Sequence, residues 1–445
     1  MGRFAWVLIL TMVFPAMAGA MDDPHAPILM LDEAVDLALA NNRGVKNAAI
    51  EVAKAADGTA AMRALRFPQI DVGVYESYHF TNESFTFPEG SFGDFPVVGP
   101  IPPEDTEIDS VRDFTTLVTA SVGLPLSQQY RLGLGVEQHE VAEDMATQEL
   151  RAKRQGTAKN VKDLYYSILR SEASLRATQA SITYLSGLEG VASRNVQQQR
   201  ALRSDLLEVR TELARARQRE LQEHDALASE REEMNVLLGR TIDTPFRVSS
   251  LPGPARLAVD PTAAEAEALA RRPLIKEARL NERHAELGVK IKRSEYIPEV
   301  SLEVRYTSPF GAEFVPKNLG SVGLFARWDV WDWGKRAHEV SAKNLALAQA
   351  RNKVREAQDR VRLDVNQKVR ALAQAEARVP VAELAEETAR EKLRVNENKY
   401  RQQVALVEDV LKAEARLASA RRDVEDAKLG VWKSWTDLQK AMGEE

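Results

Sequence analysis

The 445-residue sequence contains no cysteine, no large excess of either charge and, beyond Ala20, no long apolar run. The absence of cysteine excludes disulfide bonds, thiolate metal sites and cysteine nucleophiles. Lysine and arginine total 60 against 66 aspartates and glutamates, so the net charge is only -6. The two signs are interleaved along the chain, and this pattern does not favour a nucleic-acid surface.

The start of the chain is apolar in the manner of a secretion signal. Arg3 precedes the apolar residues 4–14, and small residues follow at 16, 18, 19 and 20. This pattern predicts a signal peptide over residues 1–20, cleaved after Ala18 or Ala20. An uncleaved anchor would need roughly 20 apolar residues. Because no later stretch could span a bilayer as a helix, the mature chain is either soluble or crosses a membrane as strands.

The remaining sequence contains an internal duplication. When the sequence is shifted against itself so that Ala38-Leu39-Ala40 meets Ala268-Leu269-Ala270, Lys46 meets Lys276 and Pro68 meets Pro298 without a gap. A second shift, which brings Asp205 onto Asp409, also brings Leu207 onto Leu411. Such a period is too long for a solenoid. We therefore expect two structural repeats, residues 21–250 and 251–445, joined through a linker at 241–261.

In each repeat the hydrophobic period changes from 3.6 to 2 after a proline. Ile70, Val72 and Val74 alternate with polar or small residues after Pro68, and the same change follows Pro298. The alternation predicts four strands, at about residues 69–80, 116–126, 299–307 and 321–331. Their length, roughly 9–11 residues, suits strands that cross a membrane in a tilted barrel. A half-buried sheet in a soluble domain would show the same alternation.

Long helices are predicted on either side of these strands. Residues 31–67 read as helix, and two helical hairpins are expected at about 136–238 and 337–442, the second interrupted at Pro380. Apolar residues at heptad-like spacing with interleaved charges are typical of coiled-coil packing. The stretches 81–113 and 308–318, which contain several prolines, are predicted to be loops.

Four segments carry a resemblance to a known family. They are Ala268-Leu269-Ala270-Arg271-Arg272-Pro273, Tyr296-Ile297-Pro298, Trp331-Asp332-Trp333-Gly334-Lys335-Arg336, and Asn398-Lys399-Tyr400 through Asp409-Val410-Leu411. In this order, and with the signal peptide, the strands, the helical hairpins and the duplication, the chain resembles the TolC family of outer-membrane efflux proteins. The resemblance covers nearly the whole mature chain.

The resemblance implies a mixed α+β membrane protein. In such a homotrimer, four β-strands per protomer form one 12-stranded outer-membrane β-barrel, and the long helices form a coiled-coil barrel across the periplasm. The geometry agrees, since four strands cannot close a barrel and trimerisation pairs every open edge. The protein would be a passive export channel, embedded in outer-membrane lipid and joined to an inner-membrane pump through a periplasmic adaptor. No cofactor, metal site or nucleic-acid partner is expected.

The resemblance also implies roles for individual residues. A periplasmic gate falls on Asp205, Tyr400 and Asp409. Adaptor-docking tips fall on Arg200, Ala201, Leu202, Val404, Ala405 and Leu406. An interfacial aromatic belt is expected at Trp328, Trp331 and Trp333.

Four positions depart from the family pattern. Glycine is usual where Gln199 and Gln403 stand, arginine where Ala405 stands, and a second ring aspartate where Lys412 stands. Because of these departures, the sequence does not determine how an adaptor docks, how the periplasmic end of the channel closes, or whether that end selects cations. The two gate aspartates could instead cap the starts of helices.

Two other classes of function compete with a channel. A secreted coiled-coil scaffold would share the signal peptide and the helices, but it would not predict duplicated membrane-length strands. An enzyme is disfavoured because the sequence offers no assembled set of nucleophile, base or metal ligands. The substrate stays open among drugs, metal ions, peptides and proteins, because selectivity in such systems would lie mostly in the pump.

Overall fold

The computed structural model describes residues 26–81, 84–109, 111–254, 258–312 and 316–444. The predicted signal peptide, residues 1–20, lies outside the described residues. The helices of the described residues are α1 (Leu31–Asn41), α2 (Arg43–Ala64), α3 (Gln129–Gln197), α4 (Arg203–Leu237), α5 (Pro261–Arg271), α6 (Pro273–Ser294), α7 (Lys335–Arg401) and α8 (Val407–Met442). The strands are β1 (Ile28–Leu29), β2 (Gln69–Tyr78), β3 (Ser84–Phe87), β4 (Asp94–Phe95), β5 (Gly99–Pro100), β6 (Thr106–Asp109), β7 (Val111–Pro125), β8 (Arg247–Val248), β9 (Glu299–Ala312) and β10 (Leu319–Arg327).

The described part of the chain divides into two compact units. Of the described residues, the helical unit takes those within 26–51, 146–278 and 354–444. The sheet unit takes its residues from Val52–Met145 and Arg279–Lys353. Each unit draws on both sequence repeats, because the long helices carry the chain of each repeat through both units. Among the described residues, no helix is both long and apolar enough to cross a membrane.

The sheet unit contains a four-stranded antiparallel sheet in the order β10-β9-β7-β2. Its register aligns the alternating apolar residues of all four strands, since Ile70 pairs with Val122, Val122 with Val304, and Val304 with Val322. Because neighbouring residues of a strand point to opposite faces, this row and the rows two residues away form one apolar face. The sheet therefore has the continuous apolar face that the alternation predicted.

The predicted loop at residues 308–318 is wrong in its first half, because β9 continues to Ala312. The pairing of β9 with β10 ends at Thr307, so among the described strands Pro309 pairs with β7 alone, and its missing N–H breaks no described ladder bond on the other side. The register then shifts between Val111 and Thr116 of β7. Gly311 lies opposite this irregularity with φ of 81°, where a side chain would collide with a backbone carbonyl.

The predicted loop at residues 81–113 also contains strands. β3 pairs with β6, and β4 pairs with β5. Pro88 follows β3 directly and Pro103 precedes β6, so these prolines border the paired segments and do not interrupt them. The high proline content therefore led to the prediction of a loop where the structure has two short strand pairs.

The predicted helix over residues 31–67 is two helices, because the backbone leaves the helical conformation at Asn42, with ψ of 126°. The Asn42 Oδ1 atom accepts hydrogen bonds from the N–H groups of Gly44 (2.9 Å) and Val45 (3.3 Å), which caps the first turn of α2. Arg272, the equivalent residue of the second repeat, makes the same break with ψ of 126°. There Pro273 disfavours helical geometry at the preceding residue.

The predicted interruption at Pro380 is also wrong, because α7 continues through this proline from Lys335 to Arg401. A proline inside a helix removes one backbone hydrogen bond and costs about 3 kcal/mol. Val379 and Ala382, on either side of the proline, pack against Val424 and Ala427 of α8. This burial offsets part of the cost and holds the helix together.

The core of the helical unit is distributed along the helices in three main clusters. One surrounds the fully buried Tyr165, whose hydroxyl oxygen lies within hydrogen-bond distance of the carbonyl oxygens of Leu29 (3.0 Å) and Ser249 (2.8 Å). A second, around Ile275 and Leu438, joins α5, α6, α7 and α8. A third, which includes Val209 and Val410, lies near the α3–α4 and α7–α8 turns. The turns are thus attached to a packed interior.

A network of charged side chains links α3, α7 and α8. Lys159 Nζ contacts Asp163 and lies 2.9 Å from Asp437 Oδ1, and Lys368 Nζ lies 3.0 Å from Asp437 Oδ2. Burial by itself would raise the pKa of Asp437, but the hydrogen bonds from the two lysines outweigh it and hold this pKa below the usual aspartate value. The three helices are therefore joined through an ionised carboxylate.

We expect Asp437→Asn to lower the free energy of unfolding by roughly 1.5–3 kcal/mol at pH 7, because two charge-assisted hydrogen bonds are weakened. Since the Asp437 pKa is lower in the folded state, its stabilisation is complete above the unfolded pKa of 3.8 and disappears as pH falls through the folded pKa. The variant should therefore lose less stability on acidification than the parent. Denaturant unfolding at pH 7 and at pH 3 measures both effects.

Asp359→Asn serves as the control, because Asp359 is an exposed residue of α7 whose one ion pair among the described residues is with Arg362, three residues on. It should change stability by less than about 0.5 kcal/mol. Equal stabilities for the parent and Asp437→Asn at pH 7 would contradict the role assigned to the network.

Candidate functional site

The turns between α3 and α4 and between α7 and α8 have the same backbone geometry. Gln199 and Gln403 adopt positive φ angles of 57° and 62°. The next residue closes each turn, since the Arg200 N–H donates to the Asn195 carbonyl oxygen (2.8 Å) and the Val404 N–H to that of Lys399 (2.9 Å). This is the Schellman arrangement, in which glycine is favoured at the left-handed position. Glycine, which is usual in the family at these two positions, would adopt the left-handed conformation without the steric cost that a glutamine side chain carries.

The two aspartates predicted to belong to the gate cap the helices that leave these turns. Asp205 Oδ2 accepts a hydrogen bond from the Leu202 N–H, and Asp409 Oδ2 accepts one from the Leu406 N–H, each at 3.3 Å. A carboxylate at the third helical position satisfies a donor that has no partner in the helix and also interacts favourably with the helix dipole. The capping role that the sequence left open is thus present in both repeats.

The predicted docking residues lie at the tips of the turns. Leu202 is 69% exposed, Leu406 68% and Val404 74%. Ala201 and Ala405 are half-buried beside them. Because exposed apolar residues gathered at one end of a helical hairpin are typical of contact surfaces, the tips are suited to a partner.

Tyr400 lies close to the second tip and packs against the third cluster of the helical unit. Its hydroxyl is buried and has no hydrogen-bond partner among the described residues. Asp205 is bonded to Leu202 and Ser204, so the structure does not join Tyr400 to this aspartate. Lys412, at the expected second ring position, instead contacts Glu408 one turn earlier, and this hydrogen bond raises the lysine pKa.

Sequence reasoning missed an acidic cluster behind the second tip. Burial raises the pKa of Tyr184 well above its usual value, and a hydrogen bond with Glu397 and the charges of Glu397 and Glu414 add to the effect. Glu414 is only 9% exposed. Tyr184, Glu397 and Glu414 come from α3, α7 and α8 in turn, so no spacing within one segment of the sequence indicates that they meet. Within the described ranges, no group of three or more histidines and carboxylates is arranged to hold a metal ion.

The three tryptophans of the expected belt lie just beyond β10. That strand ends at Arg327 and not near residue 331, so the predicted strand boundary is wrong. Trp328, Trp331 and Trp333 are all exposed, and the rings of the last two meet edge to face with centroids 5.9 Å apart. Their assignment to a membrane interface stays a prediction.

The residues around these tryptophans turn the chain into α7. Trp333 and Gly334 both have positive φ, 56° and 84°. Asp332 accepts hydrogen bonds from the N–H groups of Gly334 and Arg336, both at 3.1 Å, and from the Arg336 guanidinium at 2.6 Å. The guanidinium holds the Asp332 pKa below its usual value. This motif therefore ends the strand early.

We expect Gln199→Gly with Gln403→Gly to stabilise the two turns, because a side chain in the left-handed region costs roughly 1–2 kcal/mol and part of that returns as unfolded-state entropy. The net gain should be about 0.5–1 kcal/mol per turn. Amide hydrogen exchange over residues 195–206 and 399–410 should slow. The matched change Gln198→Gly with Gln402→Gly should speed it, because both residues precede the left-handed position. Identical exchange in the two variants would argue against the strain.

The fold has solved counterparts. The chain is similar to a membrane protein from Pseudomonas aeruginosa, with 15% identity, a TM-score of 0.77 and coverage of 93% of this chain and 90% of that one. It is also similar to the CmeC outer membrane channel of Campylobacter jejuni (14%, TM-score 0.77, 93% and 85%). The outer membrane protein VceC of Vibrio cholerae is a third (16%, TM-score 0.72, 93% and 96%). At these identities the likeness shows the fold alone.

Sequence comparison gives the family. No curated protein matches the chain by sequence. The family model of the outer membrane efflux protein matches residues 34–240 and 266–444, which are most of the chain and follow its two repeats. The chain therefore belongs to the outer membrane efflux protein family.

Proposed function

We propose that this protein is the outer-membrane channel of a tripartite export system and carries substrates from the periplasm, or from an inner-membrane pump, to the exterior. Family membership carries the proposal. The sheet unit supports it, because its apolar face and two open edges suit one protomer's share of a trimeric barrel in lipid. The long hairpins α3–α4 and α7–α8 supply the periplasmic part.

The tips of these hairpins are the proposed docking site for a periplasmic adaptor. Leu202 and Leu406 are exposed, and both precede a capped helix. Apolar side chains held on a fixed backbone lose little entropy on binding, which favours contact with another helical tip. Val404 extends this apolar surface on the second tip only.

The gate is proposed to involve Tyr400, Asp205 and Asp409. A buried hydroxyl without a partner costs about 1–3 kcal/mol, so a carboxylate that reaches Tyr400 in a closed mouth would stabilise that state. Capping uses only one carboxylate oxygen of each aspartate, Oδ2, toward the backbone. The capping role and a gating role are therefore compatible.

Planar-bilayer conductance of the detergent-purified protein, with its mass measured in the same preparation, tests the channel. We expect discrete conductance steps from a trimer, because three sheets are needed to close a barrel. A well-folded monomer that stays in solution without detergent and does not conduct would overturn the proposal. That result would favour a secreted coiled-coil scaffold.

For the gate, we expect Tyr400→Phe combined with Asp205→Asn to raise single-channel conductance severalfold, because the closed mouth loses its hydrogen bond while packing is kept. Asparagine retains an acceptor for the Leu202 N–H, so the cap survives. Tyr184→Phe is the control, since it removes a hydroxyl from the same cluster but not from the proposed gate. Unchanged conductance in the double variant would remove both residues from the gate.

A further inference from the structure

The two β-hairpins of the sheet share one register. Val72 pairs with Ala120 in the hairpin β2–β7, and Leu302 pairs with Leu324 in the hairpin β9–β10. The shift that aligns the two repeats places Val72 on Leu302, so Ala120 and Leu324 are equivalent positions as well. Over the paired segments, β2 therefore corresponds to β9, and β7 corresponds to β10.

One ladder of this sheet has no counterpart within a single chain. In it β7 of the first repeat pairs with β9 of the second, and Val122 lies opposite Val304. The equivalent strands are β10 and β2, which form the two edges of the described sheet, and the equivalent residues are Ala326 and Val74. Neighbouring strands lie about 4.8 Å apart, so three steps across the sheet keep these edges on the order of 14 Å apart. The counterpart of the β7–β9 ladder can therefore form only between two copies of the chain.

At the end of the β7–β9 ladder, the segment that leads into α3 binds the start of β9. Ser127 Oγ donates a hydrogen bond to the Pro298 carbonyl oxygen and accepts one from the Val300 N–H, each at 2.7 Å. Ile297, in the connection between α6 and β9, lies beside the same segment. The space left between the two segments is only about 10 Å³. This junction within the chain is therefore closely packed.

The equivalent segments at the two edges of the sheet are exposed. Trp331 stands at the position of Ser127 and follows β10 at one edge. Phe67 stands at the position of Ile297 and precedes β2 at the other edge. Trp328 and Trp331 border, together with the end of α6, an open cavity of about 430 Å³. Because the connection between α6 and β9 fills the space beside Ser127, the equivalent segment for this larger cavity is the connection between α2 and β2 of another copy.

We propose that β10 of one protomer pairs with β2 of the next in the register of the β7–β9 ladder, and that the partner's Phe67 packs against Trp328 and Trp331. This register places Ala326 opposite the partner's Val74, so the apolar face continues from one protomer to the next. The inference rests on the trimeric channel proposed above. It assigns two tryptophans of the expected belt to a contact between protomers.

The change from serine to tryptophan between the two junctions has a physical reason. Within one chain the backbone already holds β7 and β9 in the same molecule, so the hydrogen bonds of Ser127 are sufficient. Between chains, association also costs translational and rotational freedom, and buried apolar area must offset this loss. Aromatic side chains bury the largest areas, and pairs of aromatic rings add a further favourable interaction. Trp331 and Phe67 would thus supply the apolar contact that the junction within one chain does not need.

Cross-linking tests the register, and the absence of cysteine from the chain removes any background. The full-length protein carries Ala326→Cys with Val74→Cys, Val72→Cys or Ile70→Cys and is oxidised with copper phenanthroline. Covalent oligomers should form fastest with Val74→Cys and roughly tenfold more slowly with Ile70→Cys, because a disulfide needs Cα atoms within about 7 Å. A faster reaction with Val72→Cys or Ile70→Cys, or no difference among the three, would overturn the register.

Dissociation of the trimer in hot detergent tests the aromatic contact. Phe67→Ala should speed dissociation roughly tenfold, because a buried aromatic side chain becomes small and interface changes act mainly on the dissociation rate. Trp331→Ser, which installs the residue of the first junction, should have the same effect. Phe80→Ala is the control, since it removes an exposed phenylalanine beyond the other end of β2 and should leave the rate unchanged.

Dissociation of Phe67→Ala and Trp331→Ser at the parent rate would overturn the contact and favour the membrane interface for these tryptophans. Conductance and mass of the same preparations separate this inference from the proposed function. A conducting trimer that cross-links in another register refutes only the arrangement of the edges. A folded monomer that does not conduct refutes the channel itself.

Discussion

The open edges and the exposed apolar face of the four-stranded sheet are the constraint on which the rest of this protein depends. β2 and β10 lie at the two edges, and on the apolar face Ile70, Val72 and Val322 are 73%, 72% and 71% exposed in the single chain. In water such a surface would aggregate, and in lipid each unpaired backbone group would cost several kcal/mol. A trimeric barrel satisfies both demands, because neighbouring sheets pair the edges and lipid covers the face.

The two repeats are more alike in backbone geometry than in the side chains at equivalent positions. The helix break at Asn42 depends on a side-chain cap, whereas the equivalent break at Arg272 is favoured by Pro273. At the tips, two glutamines accept a left-handed conformation and two aspartates cap the following helices. Different residues thus reach one geometry, and the positions that geometry does not constrain, such as Arg200 and Val404, can differ in chemistry.

The helical unit combines packed and charged contacts along its length. Around Tyr165 the backbone satisfies the hydroxyl of a large buried side chain, and Lys159 and Lys368 form ion pairs with the partly buried carboxylate of Asp437. Near the tips, one buried polar group lacks a hydrogen bond, because the Tyr400 hydroxyl has no partner among the described residues. Such local imbalance is expected where a structure has more than one arrangement.

The sequence by itself determined the four long strands, the helical hairpins and the duplication, because each rests on a periodicity or a repeated segment that local residues specify. The family followed from the resemblance of four segments to known sequences. Only the tertiary structure decided that α7 continues through Pro380, that β9 runs past Pro309, and that β3 pairs with β6 inside a proline-rich stretch. These outcomes depend on which neighbours a segment meets, and residues distant in sequence supply those neighbours. The same holds for the tips. The duplication aligns Asp205 with Asp409 and the family resemblance singles them out, but their capping bonds and the Tyr400 hydroxyl without a partner among the described residues follow from the folded backbone.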